Sequence, residues 1–146
     1  QTLLIVNDDW RLAAELGIDA VHLGEDDGDI EEARRALGPG SLIGVSCYAS
    51  VERARALAPV ADYLAFGALF ASGTKPLARP APLSVFREVQ ALSLARPLVG
   101  IGGIDAGNIG SVLAAGADAA AVIGSLFRQG DIRAAAQRLV AAAAHP

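Results

Sequence analysis

Leu98-Val99-Gly100-Ile101-Gly102-Gly103-Ile104, followed later by Ala120-Ala121-Val122-Ile123-Gly124-Ser125, is the stretch on which the fold turns. In both segments a short apolar run breaks directly into glycine, and neither is followed by the G-x-G-x-x-G turn of a dinucleotide-binding sheet. Glycine at a parallel strand tip lets an anion approach backbone amides with no Cβ in the way. That is how the loops after the seventh and eighth strands of a (β/α)8 barrel often bind phosphate. The alternative for an alternating chain is an open, doubly wound sheet; the two glycine tips favour the barrel.

Outward from these tips, apolar runs and amphipathic stretches alternate along the whole chain, the pattern of βα units around a parallel sheet. Strands are predicted at Leu3–Val6, Ala20–Leu23, Leu42–Val45, Tyr63–Phe66, Leu98–Ile101 and Ala120–Ile123. Helices are predicted at Arg11–Leu16, Ile30–Leu37, Val51–Leu57, Leu83–Leu94, Ala106–Ala115 and Ile132–Ala143, with Ser50, Asp105 and Asp131 as candidate N-caps. A weak repeat runs through this order: Asp19 to Gly24, Asp62 to Gly67 and Asp118 to Gly124 each read aspartate, apolar strand, glycine. Such glycines would surround one end of a barrel, or simply serve turns. With the two glycine tips as strands seven and eight, Leu3–Val6 becomes the third. The expectation is therefore an α/β chain supplying about six βα units of a TIM (β/α)8 barrel, strands 3 to 8. Residues 1–146 would form one barrel domain that lacks the first two units.

The 146 residues, 53% apolar and 19% charged, are enough for one well-packed globular domain. Net charge is −4 and the arginines are dispersed along the chain, with only Arg34 and Arg35 adjacent, so no basic stripe is offered to nucleic acid. The most apolar stretch, residues 54–71, is broken by Asp62, Pro59 and Gly67, so no membrane span is expected. The single cysteine, Cys47, cannot form an internal disulfide; it reads as a small packed residue in a reducing compartment, with the cytoplasm as the default. There is no methionine, even at position 1, and further chain is expected upstream.

Two acidic strand tips carry the first chemical signal. Asn7-Asp8-Asp9 follows the first predicted strand, and Glu25-Asp26-Asp27 follows the second. On neighbouring parallel strands, Asp8 and Asp27 could converge on Mg2+ and hold a polyphosphate. The long connection from Gly67 to Pro82 carries Ser72-Gly73-Thr74-Lys75-Pro76, in which two hydroxyls and an ammonium around a glycine read either as an anion clamp or as a solvated loop. His22, inside a short strand, reads as a packed or hydrogen-bonded structural histidine.

Taken together, Asn7-Asp8-Asp9, His22-Leu23-Gly24-Glu25-Asp26-Asp27, Gly44-Val45-Ser46-Cys47-Tyr48, Phe66-Gly67 with Ser72-Gly73-Thr74-Lys75-Pro76, and Gly100-Ile101-Gly102-Gly103-Ile104 resemble, in order and spacing, the thiamine-phosphate synthase family. The resemblance covers nearly the whole chain. It implies a (β/α)8 transferase that joins 4-amino-2-methyl-5-hydroxymethylpyrimidine diphosphate to 4-methyl-5-(2-phosphoethyl)thiazole, releasing diphosphate by a dissociative route without a protein nucleophile. By resemblance, Asp8 and Asp27 match Mg2+ ligands. Asn7 and Lys75 match diphosphate contacts, and Ser46 a serine beside the diphosphate, so that Ser46 and Lys75 become the candidate catalytic pair. Ser72, Thr74, Gly103, Gly124 and Ser125 match the holders of the thiazole phosphate. Asp9 and Asp26 read as loop or supporting residues.

Two features depart from the family pattern. Glu25 stands where many members carry glutamine facing the pyrimidine, and the Gln-x-Arg-x-Lys run that ends the family's second strand has no counterpart here. Tyr48 argues against the related thiazole tautomerases, which resemble this chain but are expected to carry histidine there. The partners expected are the two small-molecule substrates. A six-strand remnant would expose unpaired edges, leaving a homo-oligomer open as their cover. The competing class is a non-catalytic phosphate-ligand-binding or regulatory homologue.

Overall fold

The computed structural model describes residues 2–71 and 80–144. It contains six parallel strands in sequential order: β1 (Val6–Asn7), β2 (Ala20–Leu23), β3 (Leu42–Tyr48), β4 (Tyr63–Phe66), β5 (Leu98–Ile101) and β6 (Ala119–Ala121). A doubly wound sheet reverses its strand order at a switch point. This sheet never does; each strand pairs with the one before it, as in the wall of a barrel. Helices α1 (Trp10–Leu16), α2 (Ile30–Leu37), α3 (Val51–Leu57), α4 (Ser84–Gln90), α5 (Ile109–Ala114), α6 (Gly124–Phe127) and α7 (Ile132–Ala143) fill the connections.

Strand alternation decides what faces what. Val21 and Leu23, Ile43, Val45 and Cys47, then Leu64 and Phe66 alternate along their strands and join one buried core with the helix residues Ala13, Ala33, Ala54, Val85, Phe86 and Val89. The Phe66 and Phe86 rings meet edge to face with centroids 5.6 Å apart. The intervening positions, His22, Gly44, Ser46, Tyr63 and Ala65, occupy the opposite face of the sheet. That face is polar or small, and it is where a ligand can enter.

The aspartate-strand-glycine repeat has a structural explanation at its aspartate end. Asp62 Oδ2 accepts from Ile43 N at 2.7 Å and also pairs with Arg34 Nη2 at 2.7 Å. Asp118 Oδ2 accepts from Leu98 N at 2.7 Å. Each carboxylate thus satisfies an amide at the start of the preceding strand, pinning the register of neighbouring strands from the end opposite the glycines. In the first copy the contact runs the other way along the sheet: the Asp19 backbone carbonyl accepts from Leu42 N, at the start of the following strand, at 2.8 Å.

Several sequence expectations change. The first strand is not the buried run Leu3–Val6 but the pair Val6–Asn7, and Leu3 and Leu4 are 57% and 65% exposed. β1 lies at the sheet edge and pairs only with β2, so few contacts hold its beginning. β3 runs on to Tyr48, β6 is Ala119–Ala121 rather than Ala120–Ile123, and α4 and α5 are shorter than predicted. Ser50 and Asp131 cap their helices, accepting from Arg53 N and Ala134 N. Asp105 does not cap α5. Its Oδ1 accepts from Gly107 N at 2.8 Å, closing a turn before the helix, and Asn108 takes the N-cap position.

Candidate active site

The carboxyl ends of the strands surround a cavity of about 1040 Å³. Among the described residues it gathers Asn7, Asp8, Glu25, Asp27, Ser46, Gly103, Gly124 and Ser125 from the predicted set. Ser72, Thr74 and Lys75 lie outside the described residues. Gly24, Gly67 and Gly124, the glycines of the repeat, all line the same cavity.

The acidic side is shaped by its backbone. Asp8 sits at φ 69° at the tip of β1, a left-handed conformation that aspartate tolerates better than most side chains, and its N–H donates to His22 O at 2.9 Å. Asp9, next to it, is a cap: its carboxylate accepts from Leu12 N at 2.9 Å and starts α1. Asp27 reaches back to accept from Gly24 N at 2.6 Å, folding residues 24–27 into a tight acidic turn. Tyr48, also left-handed at φ 57°, holds that turn by accepting from Glu25 N at 3.2 Å. Asp26 faces the cavity as well.

Behind this turn His22, Ser46 and Tyr63 form a chain of hydrogen bonds. His22 Nδ1 lies 3.0 Å from the Tyr63 hydroxyl, and Nε2 lies 2.9 Å from Ser46 Oγ. The imidazole and phenol rings stack with centroids 5.5 Å apart. Burial holds the His22 pKa below the usual imidazole value, against the opposing pull of the Asp27 charge, and burial pushes the Tyr63 phenol up. Arg53 Nε donates to the Ser46 carbonyl at 2.8 Å and fixes the strand from the helix side. His22 is hydrogen-bonded as the sequence suggested, but it lines the cavity rather than the core. Tyr63 was missed, because no spacing along one strand announces a partner across two strands.

The other side is built around glycine turns, with Ile101, Ile123 and Arg128 beside them. Gly103 has φ +64°, and a Cβ there would stand 2.5 Å from Ala71 O and 2.8 Å from Phe70 Cβ, so only glycine fits this turn. Asn108, also unanticipated, steadies the turn, since its Nδ2 donates to Gly103 O at 3.1 Å while its Oδ1 accepts from Asp105 N at 2.9 Å. Ser125 Oγ donates to Ile104 O at 2.7 Å, tying α6 to the loop after β5. Its hydroxyl proton is spent on that tie, which leaves the backbone as the part of Ser125 suited to an anion.

The donor set can be weighed against a divalent cation. Among the described residues no group of three or more His, Cys, Asp or Glu side chains is arranged to enclose a metal. Mg2+ does not require one: it keeps several waters and binds through one or two carboxylates plus phosphate oxygens. Asp8 and Asp27 offer hard oxygen donors on one wall of the cavity, which fits that mode of binding.

The family model for thiamine monophosphate synthase matches residues 1–126. The chain is 57% identical over 138 residues to a thiamine-phosphate synthase of Chromobacterium violaceum, covering 94% of this chain and 66% of that protein. It is 53% identical over 140 residues to one of Halorhodospira halophila, covering 95% and 66%. Among solved structures it resembles a thiamine phosphate pyrophosphorylase from Pyrococcus furiosus, with TM-score 0.85, 34% identity and coverage of 98% and 68%. A 3-hexulose-6-phosphate synthase at 21% identity and TM-score 0.66 shares the fold alone. The chain thus spans about two thirds of the length of these relatives, and by its match to the family model it belongs to the thiamine monophosphate synthase family.

Proposed function

We propose that the protein containing this chain is a thiamine-phosphate synthase. It would join hydroxymethylpyrimidine diphosphate to 4-methyl-5-(2-phosphoethyl)thiazole. The observation that carries the reading is the meeting of two unlike walls in one cavity: an acidic side-chain wall at Asp8 and Asp27, suited to a cation that holds a phosphate group, and a glycine wall at Gly103 and Gly124, whose backbone suits a phosphate directly. Two phosphorylated substrates that must react with each other need two such sites facing a shared space. The sequential parallel strands support the finer reading that they are strands 3 to 8 of a (β/α)8 barrel, in which the glycine tips end the last two.

In this reaction the bond between the pyrimidine methylene and the diphosphate oxygen breaks, and diphosphate leaves with the electron pair. The thiazole nitrogen then gives its lone pair to the methylene carbon. The chain's work is to hold the departing anion and aim the acceptor. Asn7 and Ser46 supply neutral donors to the diphosphate, Lys75 a positive charge, and Glu25 an acceptor for the pyrimidine amine. Gly103, Gly124 and the Ser125 backbone, with Ser72 and Thr74, hold the thiazole phosphate. Asp8, Glu25, Asp26 and Asp27 would repel a diphosphate directly, so a cation belongs between them and the substrate. Bound by Asp8 and Asp27, Mg2+ would supply neutralisation of the charge that builds on the leaving group. Among the described residues no helix is long and apolar enough to cross a membrane, and the one free cysteine suits the cytoplasm.

Full-length protein given each substrate alone and then both, with Mg2+ present, tests the reading. Thiamine phosphate is expected only when both are supplied. Binding of the thiazole phosphate with no product from the complete mixture would contradict it and favour a ligand-binding homologue.

A further inference from the structure

The His22, Ser46 and Tyr63 cluster has an unusual construction. β2, β3 and β4 pair so that His22 is opposite Gly44 and Gly44 is opposite Tyr63, which sets three residues in one row across the sheet. Gly44 carries nothing into that row. A Cβ there would lie 1.9 Å from Tyr63 Cζ and 2.3 Å from its hydroxyl oxygen, because the phenol leans across β3 through the space the glycine leaves. Only by crossing there does it reach His22 Nδ1. Ser46, two residues beyond Gly44 on the same face, receives the other end of the imidazole.

The direction of the protons follows from counting donors. Among the described residues the Tyr63 hydroxyl has one hydrogen-bond partner, His22 Nδ1, so donating there is the arrangement that satisfies its O–H within the protein. Nδ1 is then the acceptor of a neutral imidazole and Nε2 carries the hydrogen, which it donates to Ser46 Oγ. A serine oxygen that accepts this bond keeps its own O–H free to turn into the cavity. The opposite arrangement would take the serine proton into Nε2 and present only lone pairs to an anion. We propose that Tyr63 and His22 are positioning residues that fix the imidazole tautomer, so that Ser46 faces the cavity as a hydrogen-bond donor to the departing diphosphate. Gly44 is the gap that makes the relay possible. The inference rests on the transferase reading for the identity of the anion, but not for the direction of the relay.

Two measurements on the full-length protein separate those levels. The 15N chemical shifts of the His22 ring, read without ligand, should show Nε2 protonated in the wild type. In Tyr63→Phe, which keeps the stacked ring and removes only the donor, the Nδ1 proton should become populated. In steady-state turnover, Ser46→Ala is expected to lose on the order of a hundredfold in kcat. Tyr63→Phe should lose on the order of tenfold, with KM for the thiazole phosphate unchanged. His22→Gln, whose amide N–H can replace Nε2–H, should retain more activity than His22→Leu. A wild-type imidazole protonated on Nδ1 alone, or a Tyr63→Phe variant with unchanged kcat, overturns the relay. A wild type that forms no thiamine phosphate overturns the transferase reading and with it the proposed role of Ser46, while the ring shifts still decide the direction of the protons.

Discussion

Along β2, β3 and β4 the cavity is faced by side chains that bond to one another: Asp27 to the Gly24 amide, Tyr48 to the Glu25 amide, His22 to Ser46 and Tyr63. Along β5 and β6 it is faced by glycine turns at Gly102, Gly103 and Gly124, with Ile101, Ile123 and Arg128 beside them, and Asn108 and Ser125 hold those turns by bonding to backbone carbonyls. The difference teaches where each wall is vulnerable. The side-chain wall depends on particular functional groups, each replaceable by an isostere that keeps the shape. The backbone wall depends, at Gly102 and Gly103, on the absence of atoms, since a Cβ there would stand 2.6 Å from Ala68 Cα or 2.5 Å from Ala71 O.

The largest expected effect is at Asp27. Asp27→Asn keeps an oxygen that can accept from the Gly24 N–H but removes the charge proposed to hold Mg2+. Thiamine phosphate formation should fall by about a hundredfold, while thermal melting stays close to wild type. An unchanged rate would remove the acidic wall from the chemistry. Next is Gly44→Ala, which tests whether an added atom can damage the side-chain wall too. Its Cβ would strike Tyr63, at a cost of about 1 to 3 kcal/mol in urea unfolding, together with a fall in kcat as the phenol is pushed off His22.

Asp62→Asn should give a smaller loss, confined to stability. The Arg34–Asp62 pair, 2.7 Å apart, stands at the opposite end of the sheet and is only partly buried. Weakening it and the bond to Ile43 N should cost about 1 to 2 kcal/mol with turnover unchanged. A selective loss of kcat would mean that strand register reaches the rim. The remaining effect is alkaline. Burial pushes the Cys47 thiol up to about 12, against the pull of Arg53. The unfolded chain releases that proton from about pH 8.5, so above that point the unfolded state binds fewer protons and stability falls as pH rises toward 12. Cys47→Ala should flatten this decline in melting temperature measured across the same pH range, and a parallel decline in both proteins would contradict it.

How much of this was legible in sequence follows the same division. β2, β4, β5, α2, α3 and α7 lie where the apolar pattern places them, because each is held on one face by the core, and a one-residue slip would expose that face. β1 and β6 are the sheet edges, with one partner each, and there the hydrophobic run and the strand do not coincide. The glycine tips could be read because a strand broken by glycine is a local signal. The acidic tips could be placed at strand ends for the same reason, and Asp9, expected as a loop or supporting residue, caps α1. Tyr63 could not, since its meaning lies in the register of β2, β3 and β4, which fixes Gly44 between it and His22. Asp105 misled because an aspartate before a helix can close a turn as readily as cap it.

The division of labour between the two walls is tested most directly by calorimetric titration of full-length protein with two ligands separately, inorganic diphosphate in the presence of Mg2+ and the thiazole phosphate. Asp27→Asn should weaken the first and leave the second unchanged. Gly103→Ala, which puts a Cβ 2.5 Å from Ala71 O, should do the reverse. Variants that each weaken both ligands equally, or an Asp27→Asn protein that binds diphosphate as the wild type does, would contradict the account.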